Sequence, residues 1–357
     1  MKVSAWTVHT GGEPMVLEER EETPGPEEAL VEVAGCGVCH TDLGFYYEGV
    51  PTRHGFPLTL GHEVSGTVVE AGEGAEGWIG KQVVVPAVTP CGKCDACLSG
   101  HGRVCPKQIF PGSDVHGGFA SHLRIPSAGL CPVPDLSNRG VNPHGITLSD
   151  LSVLADAVST SYQAIVRSGL EAGDLAVFVG AGGLGSFGVQ IAAALGAHVA
   201  AIDVSEKRLA LTADHGASLT LNADELEFKE MRGTIKGLAK EHGIPSYRQK
   251  IFETSGTDAG QTTAFGLVGH GGYLSVVGFT PKKIEIRLSN LMAFDATAEG
   301  VWGCLPEHYP ALVDLVLAGK VVLGPFIEYR PMAAINQVFK ELHDGKISRR
   351  VILTPEG

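Results

Sequence analysis

The sequence predicts an α/β protein of two parts, an irregular β-rich domain followed by a doubly wound parallel-sheet domain. The first part, roughly residues 1–150, is rich in Gly and Pro and holds short valine-containing runs between turn signals. In residues 150–300, apolar runs alternate with segments of helical periodicity, as a parallel sheet with crossover helices requires. A chain of 357 residues is long enough to form two separate hydrophobic cores.

The individual elements are predicted from local patterns. Apolar runs predict strands at 29–33, 64–69 and 81–86 in the first part, and at 176–179, 199–202, 251–253 and 273–277 in the second. Helices are predicted at 185–195, 205–216, 309–318 and 332–343. Ser205 is a suitable N-cap and Gly216 a suitable C-terminal glycine for the second of these helices. Residues 138–147 are polar and contain Gly and Pro, so they predict a loop.

The composition disfavours several classes of partner. Asp and Glu number 40 against 27 Lys and Arg, a formal net charge of −13. Nucleic acid and anionic membranes both require a basic face, so neither is expected as a partner. No apolar stretch reaches the length of a membrane span, and the first residues lack the apolar core of a secretory signal. We therefore expect a cytoplasmic protein that acts on a small molecule.

A first metal site is indicated by Cys39 and by the tripeptide Gly61-His62-Glu63. Thiolate and imidazole are the ligands that zinc binds best, and a catalytic zinc site combines three protein ligands with one open position. Two ligands from separate loops leave room for a third ligand from elsewhere and for a substrate oxygen. The sequence therefore predicts a catalytic zinc that includes Cys39 and His62.

A second metal site is indicated by four closely spaced cysteines, Cys91, Cys94, Cys97 and Cys105. In a reducing compartment, clustered thiols are typical of metal ligands rather than disulfides. Four thiolates close a tetrahedral site with no open position, which is typical of structural zinc. An iron–sulfur cluster is the alternative, and four unrelated thiols a less favoured one. The other cysteines, Cys36, Cys131 and Cys304, are expected to be small buried core residues.

A dinucleotide-binding loop is predicted directly after the strand at 176–179. Gly180 permits the tight turn, Gly182 lets the backbone approach pyrophosphate, and Gly185 lets helix and strand pack closely. Gly183 and Leu184 complete this fingerprint. A nicotinamide cofactor and a Lewis-acid metal in one chain predict the oxidation of an alcohol by hydride transfer.

The choice of nucleotide is indicated by Asp203, which ends the next predicted strand. Its carboxylate can accept hydrogen bonds from the adenosine ribose and would repel a 2′-phosphate, so NAD is favoured over NADP. A helix-capping carboxylate is the alternative for Asp203. Arg208 either contacts the same ribose or is a solvated charge on a helix.

Taken together and in this order along the chain, these motifs resemble the zinc-containing medium-chain alcohol dehydrogenase family. The resemblance implies a GroES-like catalytic domain formed by residues 1–155 and 300–357, because the family's C-terminal segment returns to the first domain. It implies a Rossmann domain at 156–299 that binds NAD, and two zinc ions per chain. A homo-oligomer, dimer or tetramer, is also expected.

The resemblance further implies roles for individual residues. Cys39 and His62 would bind the catalytic zinc, with the carboxylates of Asp42 and Glu63 behind them. Thr41 would hydrogen-bond the reacting oxygen, and Arg350 would approach the pyrophosphate of the cofactor. Thr41, His40 and Glu63 form the predicted catalytic set.

Two positions depart from the family pattern. Where many members carry a third ligand, often cysteine, this chain has Asp156, and a carboxylate oxygen can bind zinc. We therefore expect Asp156 to be the third ligand. The alternative is that Asp156 lies behind the ligands while water or Glu63 completes the sphere. Gly44 replaces a histidine that passes the proton to solvent, so Thr41 must use water, a ribose hydroxyl or His40. His40 is alternatively a pyrophosphate contact or a packing residue.

Several segments resemble one subgroup, the 6-hydroxycyclohex-1-ene-1-carbonyl-CoA dehydrogenases of anaerobic benzoyl-CoA degradation; they are residues 35–43, 46–52, 291–295, 302–306 and 350–355. This resemblance implies an alicyclic β-hydroxyacyl-CoA substrate with NAD as acceptor. It leaves open that the same site hydrates the cyclic dienoyl-CoA. The alternatives are a general zinc alcohol dehydrogenase for small or aromatic alcohols, and a redox sensor that binds NAD(H) without turnover.

Overall fold

A computed structural model describes residues 1–355 and divides the chain into two compact units. Unit 1 contains Met1–Ser159, Gly303–Gly319 and the C-terminal stretch that begins at Phe326. Unit 2 contains Thr160–Trp302 and Lys320–Pro325. The boundaries expected from the sequence, at 155/156 and 299/300, lie a few residues from two of these divisions. The structure in addition assigns the short stretch Lys320–Pro325 to unit 2.

The strands and helices occupy the following residues. The strands are β1 (Lys2–Val8), β2 (Val16–Glu21), β3 (Glu28–Gly37), β4 (Leu58–Thr59), β5 (Glu63–Ala71), β6 (Gln82–Val85), β7 (His122–Pro126), β8 (Cys131–Pro132), β9 (Leu175–Val179), β10 (His198–Asp203), β11 (Leu219–Asn222), β12 (Gln249–Glu253), β13 (Tyr273–Val276), β14 (Thr297–Gly300), β15 (Ile327–Pro331) and β16 (Arg350–Thr354). The helices are α1 (His40–Tyr47), α2 (Asp95–Leu98), α3 (Ala157–Arg167), α4 (Gly185–Ala194), α5 (Glu206–Ala213), α6 (Phe228–Glu241), α7 (Asp258–Leu267), α8 (Ser289–Phe294), α9 (Tyr309–Leu317) and α10 (Ile335–His343).

Unit 1 is built around strand β3. The larger of its two sheets has the order β15-β16-β3-β5-β6-β8, and β7 also pairs with β3; the smaller sheet has the order β2-β1-β4. Strand β16 comes from the end of the chain and runs antiparallel to β3. Buried side chains from β3, β5, β6 and α10 share one hydrophobic core, in which Phe119 and Phe339 are fully buried. The predicted β-rich first domain is therefore confirmed.

Unit 2 is a six-stranded parallel sheet in the order β11-β10-β9-β12-β13-β14. This is the doubly wound order, which reverses between the adjacent strands β9 and β12. All five residues of β9 are buried, as expected for a central parallel strand covered on both faces. Ligands of such sheets bind at the carboxyl ends of the strands beside the point of reversal. The predicted Rossmann architecture is confirmed.

The predicted elements agree with the structure where the local pattern is strong. The strands and helices expected from periodicity are present, with ends that differ by a few residues, and Ser205 accepts a hydrogen bond from the Arg208 amide as an N-cap. The helix expected at 332–343 begins with a 3-10 turn, Met332–Ala334, before α10. The elements that were not predicted include β11, β14, α6 and α7 of unit 2 and β1, β2, β15 and β16 of unit 1. Within residues 1–355, no helix has both the length and the apolar character needed to cross a bilayer.

Candidate metal centres and cofactor site

The candidate catalytic centre lies where β3 ends and β5 begins. Cys39 directly follows β3, and His62 directly precedes β5. The two strands are antiparallel neighbours, and Gly37 pairs with Glu63 at this end of the ladder. Sheet pairing therefore brings together two loops that are more than twenty residues apart in the sequence.

Four side chains that can bind metal converge there: Cys39, His62, Glu63 and Asp156. One ligand atom of each lies within 4.8 Å of those of the others. The Asp156 Oδ2 atom is 3.6 Å from Cys39 Sγ and 3.5 Å from His62 Nε2. The structure thus places the predicted third ligand beside both of the first two.

These distances test whether the residues fit a zinc ion. With zinc–ligand bonds of usual length and tetrahedral angles, sulfur and oxygen ligands are about 3.6 Å apart, and nitrogen and oxygen ligands about 3.3 Å apart. The observed separations of 3.6 and 3.5 Å match these values closely. Binding by Cys39, His62 and Asp156 alone would leave the fourth position open, which is the arrangement of a catalytic site. Glu63, in the same cluster, is the alternative ligand.

Asp42 fixes the two loops that carry Cys39 and His62. The carboxylate is fully buried and accepts hydrogen bonds from the backbone amides of Cys39 and Gly61, at 2.9 and 3.2 Å. Its Oδ1 atom is also 3.2 Å from His62 Nδ1. A carboxylate on one ring nitrogen holds the imidazole in the tautomer that directs the other nitrogen toward a metal. This agrees with the role expected for Asp42.

The charge around His62 favours a cation. Burial opposes protonation of the ring, yet Asp42 and the hydrogen bonds to Asp156, Asp42 and Cys39 raise its pKa well above the ordinary value. The ring is 1% exposed and packs against Phe110 with ring centroids 4.8 Å apart. A proton or a metal ion at Nε2 would satisfy the same surplus of negative charge.

Glu63 lies behind this cluster and pairs with Arg350. Its Oε1 atom is 3.1 Å from the Arg350 guanidinium, which also donates to the Val38 carbonyl at 3.1 Å. Burial raises the pKa of the Glu63 carboxyl to about 7, and the Arg350 charge opposes that rise. Burial disfavours the charged guanidinium, but Glu63 and the nearby acidic groups raise the pKa of Arg350. The predicted contact of Arg350 with pyrophosphate stays a prediction.

Gly37 makes room for the Glu63 carboxylate. A Cβ atom on Gly37 would lie 2.0 Å from Glu63 Oε2, so no larger residue fits without a shift. No local sequence pattern singles out Gly37, because the requirement for glycine depends on the pairing of β3 with β5.

The backbone beside Asp156 is held in place by hydrogen bonds to the preceding residue, Ala155. Asp156 lies between the 3-10 turn Asp150–Ala155 and α3. The carbonyl of Ala155 accepts hydrogen bonds from the Tyr309 hydroxyl at 2.6 Å and from the Ala87 amide at 3.1 Å. Tyr309 is fully buried, and burial raises its pKa well above the ordinary value, so it remains a donor. Sequence reasoning missed this positioning residue, whose only local signal is its place at the start of a predicted helix.

Thr41 and His40 lie at the start of α1. The Thr41 Oγ1 atom is 3.7 Å from Cys39 Sγ, so the hydroxyl lies at the edge of the candidate metal site. His40 is the first residue of α1 and is exposed. The structure therefore brings Thr41 to the centre, while His40 lies on the surface of unit 1.

The four-cysteine lobe forms the second candidate metal centre. The Sγ atom of Cys94 lies 3.5 Å from that of Cys97 and 3.6 Å from that of Cys105. The Sγ atoms of Cys91 and Cys97 are 4.0 Å apart. Sulfur ligands of a tetrahedral zinc are about 3.8 Å apart. A hydrogen bond from the Lys93 backbone lowers the pKa of Cys91 to about 6, whereas burial raises the pKa of Cys97 to about 12, so it is the sulfur distances that indicate a metal. The lobe therefore fits a closed structural zinc, and Cys36, Cys131 and Cys304 are buried as expected.

In unit 2, the predicted cofactor loop joins β9 to α4. A Cβ atom on Gly180, whose φ is +102°, would lie 2.6 Å from the Ser255 backbone, and one on Gly185 would lie 1.8 Å from the Gly180 carbonyl. Gly182, in contrast, has no atom within 4 Å of its Cβ position, so open space lies beside it. Gly183 is exposed, and Leu184 precedes the first residue of α4. These features fit a bound pyrophosphate and match the three glycine roles expected from the sequence.

Asp203 ends β10 directly beside this loop. Its Oδ2 atom accepts a hydrogen bond from the Ala181 amide at 2.7 Å, and its Oδ1 atom accepts one from Ser205 at 2.9 Å. Arg208 lies 3.6 Å from the same carboxylate, with 38% of its side chain exposed. The structure therefore places Asp203 and Arg208 together at the nucleotide end of the sheet.

Two family models match the chain. Residues 25–135 match the family described as "Alcohol dehydrogenase GroES-like domain". Residues 183–318 match the family described as "Zinc-binding dehydrogenase". Together they span well over half of the sequence.

Several dehydrogenases match this chain over nearly its full length. An alcohol dehydrogenase of Geobacillus stearothermophilus is 31% identical over 330 residues, covering 91% of this chain and 91% of the relative. An L-threonine 3-dehydrogenase of Pyrococcus furiosus is 32% identical over 339 residues, covering 92% of both chains. Among solved structures, an alcohol dehydrogenase of Thermotoga maritima matches with a TM-score of 0.86 at 27% identity and covers 100% of both chains.

Proposed function

The chain belongs to the zinc-dependent medium-chain alcohol dehydrogenase family, and from this premise we propose that it oxidises a small-molecule alcohol with NAD as the hydride acceptor. Its relatives are named as alcohol dehydrogenases, one family it matches is described as zinc-binding dehydrogenases, and it is an oxidoreductase of that class. The hypothesis that the protein is a redox sensor without turnover has no support from the names of these relatives. The relatives named above are called alcohol and threonine dehydrogenases, which favours the broader of the two substrate classes expected from the sequence.

One observation carries this proposal, the convergence of Cys39, His62 and Asp156. Three such ligands would leave the fourth zinc position to the substrate, while Glu63 of the same cluster pairs with Arg350. When bound there, zinc supplies a Lewis acid that lowers the pKa of the substrate hydroxyl, and the nicotinamide accepts the hydride. Asp42 holds the His62 ring, and Thr41 lies near enough to Cys39 to hydrogen-bond a hydroxyl at the open position. We assign Thr41 the first step of proton removal, with Glu63 behind the ligands and exposed His40 as a relay toward solvent.

The test is steady-state kinetics of the zinc-loaded enzyme. A panel of primary, secondary, cyclic and aromatic alcohols is offered with NAD, and NADH formation is followed by absorbance. Cys39→Ser serves as the inactive control, because it removes a ligand of the open site. We expect turnover with at least one alcohol that the control lacks. Absence of NADH formation across the panel in a protein with full zinc would contradict the proposal.

The preference for NAD over NADP rests on Asp203. Its carboxylate is 8% exposed and already faces two donors, the amides of Ala181 and Ser205. A 2′-phosphate brought to this place would meet a negative charge at close range, whereas ribose hydroxyls can donate to it. Arg208 contributes a partial counter-charge from 3.6 Å.

A second candidate substrate is an alicyclic β-hydroxyacyl-CoA, with hydration of the cyclic dienoyl-CoA as a linked activity. The support comes from the sequence segments that resemble that subgroup and from Asp156 at the third ligand position. We propose the loop at residues 45–51 as a wall of the substrate site, and six of its residues, 45–47 and 49–51, line a cavity of about 430 Å³ in unit 1. The two tyrosines of that loop are packed rather than free, since Tyr46 donates to the Glu13 carbonyl and Tyr47 stacks on His343.

Three substrates separate the two candidates. Specificity constants are compared for the cyclic hydroxyacyl-CoA, its free hydroxy acid and a simple cyclohexenol. If the CoA tail contributes binding energy to orientation, its removal lowers kcat as well as affinity. Equal specificity constants for cyclohexenol and the thioester would exclude the CoA assignment and leave general alcohol oxidation.

We also propose that the enzyme is a homo-oligomer, a dimer or tetramer. Strand β14 is an edge of the unit 2 sheet, and no other strand of residues 1–355 pairs with its outer side. Large apolar side chains nearby in the sequence are exposed: Phe279 at 64%, Leu288 at 66% and Met292 at 78%. An open edge with exposed apolar side chains is a ready site for pairing with another chain. Light scattering with size-exclusion chromatography tests this, and a monomer at micromolar concentration would contradict it.

The cytoplasmic location stays a proposal. Its support is the use of clustered cysteines as metal ligands, which requires reduced thiols. Fractionation of source cells, with detection of the protein in each fraction, is the measurement that decides it.

A further inference from the structure

A second cavity lies in unit 2, at the opposite end of the parallel strands from the cofactor loop. Its volume is about 210 Å³, and it lies between α6, the first residue of β12 and the loop that precedes β13. Gln249 begins β12 and His270 precedes β13, so the cavity is at the amino ends of these parallel strands. Gly180, by contrast, follows the carboxyl end of β9. The cavity is therefore separate from the nucleotide site.

The charge of this cavity contrasts with that of the protein. Its lining includes Arg232, Lys236 and His270 and contains no Asp or Glu, although acidic residues exceed basic ones by 40 to 27 in the chain. Arg232 and Lys236 are four residues apart on α6, so they lie on one face of that helix. Within residues 1–355, neither makes an ion pair.

The side chain of Arg232 is partly buried. Its Nε atom is buried and has no hydrogen-bond partner among the described residues. The half-buried guanidiniums of Arg20, Arg167 and Arg248 each pair instead with a carboxylate, those of Glu22, Glu299 and Asp174. Buried polar groups without a partner are rare in proteins and indicate a missing ligand, ion or water. An anion would supply an acceptor for this cationic donor, as would a water molecule.

The remaining lining residues carry no charge, and some are apolar while others are polar. Ile235 and Leu267 are buried, and the Phe294 ring lies 4.9 Å from that of His270. Ser246 and Gln249 add neutral polar groups. A ligand that fits this lining has a negatively charged head group that binds the cationic side chains and a short apolar body that packs against the apolar side chains.

We propose that this cavity binds a small organic anion, a carboxylate or phosphate monoester with a short apolar body, at a site separate from the cofactor loop of unit 2. The head group accepts hydrogen bonds from Arg232 and Lys236, and the body lies against Leu267 and Phe294. Such a ligand bridges α6 to the loop before β13 and stabilises unit 2. The inference does not depend on which alcohol the enzyme oxidises.

The experiment is isothermal titration of the zinc-loaded, NADH-saturated enzyme with hexanoate, hexyl phosphate and inorganic phosphate. NADH fills the phosphate sites of the cofactor cleft, so binding there does not contribute. The variant Arg232→Met/Lys236→Met removes both cations. The matched control, Lys229→Met/Lys240→Met, removes two exposed cations of the same helix that do not line the cavity.

We expect saturable binding of hexanoate or hexyl phosphate, and whichever binds more tightly identifies the head group. Affinity should fall about tenfold or more in the double variant and stay unchanged in the control, because charge-assisted hydrogen bonds are lost only in the former. Inorganic phosphate should bind at least about tenfold more weakly, since it lacks the apolar body. If the double variant does not fold, Lys236→Met alone, at an exposed position, replaces it. No saturable binding of either tailed anion, equal affinity in the cation-free variant, or equal binding of inorganic phosphate would each overturn the proposal.

Discussion

The carboxylate of Glu63 lies 3.1 Å from the guanidinium of Arg350, and both side chains are almost completely buried beside the candidate catalytic metal. The pair joins the first residue of β5 to the first residue of β16, the strand that returns from the end of the chain. A buried pair of this kind links the metal site to the integrity of the unit 1 sheet.

Glu63→Gln should destabilise unit 1. It keeps the shape of the side chain but leaves the Arg350 charge buried without a carboxylate, a change that costs about 3–5 kcal/mol in buried pairs. Urea denaturation at pH 8, above the Glu63 pKa of about 7, measures the loss. Glu32→Gln, at an exposed position of β3, is the control. The double variant Glu63→Gln/Arg350→Met should recover part of the loss, and a Glu63 effect no larger than that of Glu32 would show that the pair contributes little.

Asp156→Asn should remove the metal from the open site while the closed site keeps its own. We expect zinc content to fall from two ions to one per chain and the specificity constant to fall by more than about 100-fold, since even outer partners of metal ligands contribute 10–100-fold. Asp156→Cys should retain zinc, because thiolate is a good ligand. Mass-spectrometric metal analysis and kinetics provide the readout. Full zinc with unchanged rates in Asp156→Asn would make Glu63 the next candidate ligand.

The two metal centres should respond differently to loss of a cysteine. Cys91→Ser opens the closed site, so stability should fall by several kcal/mol, because the binding energy of a structural zinc is folding energy. Cys39→Ser should leave the thermal midpoint within a few degrees of the wild type and abolish turnover. Calorimetry of both variants beside a turnover assay tests the pair. One zinc per chain in well-folded wild type would refute the two-site assignment.

Asp203→Ala should narrow the preference for NAD over NADP by roughly 10–100-fold, the range expected for loss of a hydrogen bond to a charged group. The change removes both the ribose acceptor and the charge that repels a 2′-phosphate. The ratio of specificity constants for the two nucleotides is the measurement. Asp214→Ala, at an exposed position just after α5, should leave the ratio unchanged. Equal use of both nucleotides by the wild type would place the discriminating residue elsewhere.

The metal ligands and the cofactor loop could be predicted from the sequence because the patterns that indicate them are local. The four cysteines of the metal lobe lie within fifteen residues of sequence, at positions 91, 94, 97 and 105. Asp203 directly follows an apolar run that predicts a strand. The partners that hold these groups were not accessible. The pairing of Glu63 with Arg350 requires β16 to lie beside β3, which no local pattern predicts.

The missed elements also have physical explanations. Helix α6 buries Met231, Ile235 and Ala239 at helical spacing, a signal that was available in the sequence. Gly233 and Gly237 interrupt that segment and lower its helix propensity. Strand β14 reads Thr-Ala-Glu-Gly and has no apolar run, because it is an exposed edge whose place is set by β13.

The divided sequence of unit 1 has a consequence for biosynthesis. All six strands of the unit 2 sheet leave the ribosome before β16, so unit 2 can fold while unit 1 is still incomplete. At about 5–20 residues per second, the interval between synthesis of Glu63 and of Arg350 is roughly 15–60 s. During that time the part of the protein made first lacks a strand and a buried counter-charge. We therefore expect chaperones to bind the nascent N-terminal segment during this interval, because synthesis of β16, rather than of the first strands, completes the sheet of unit 1.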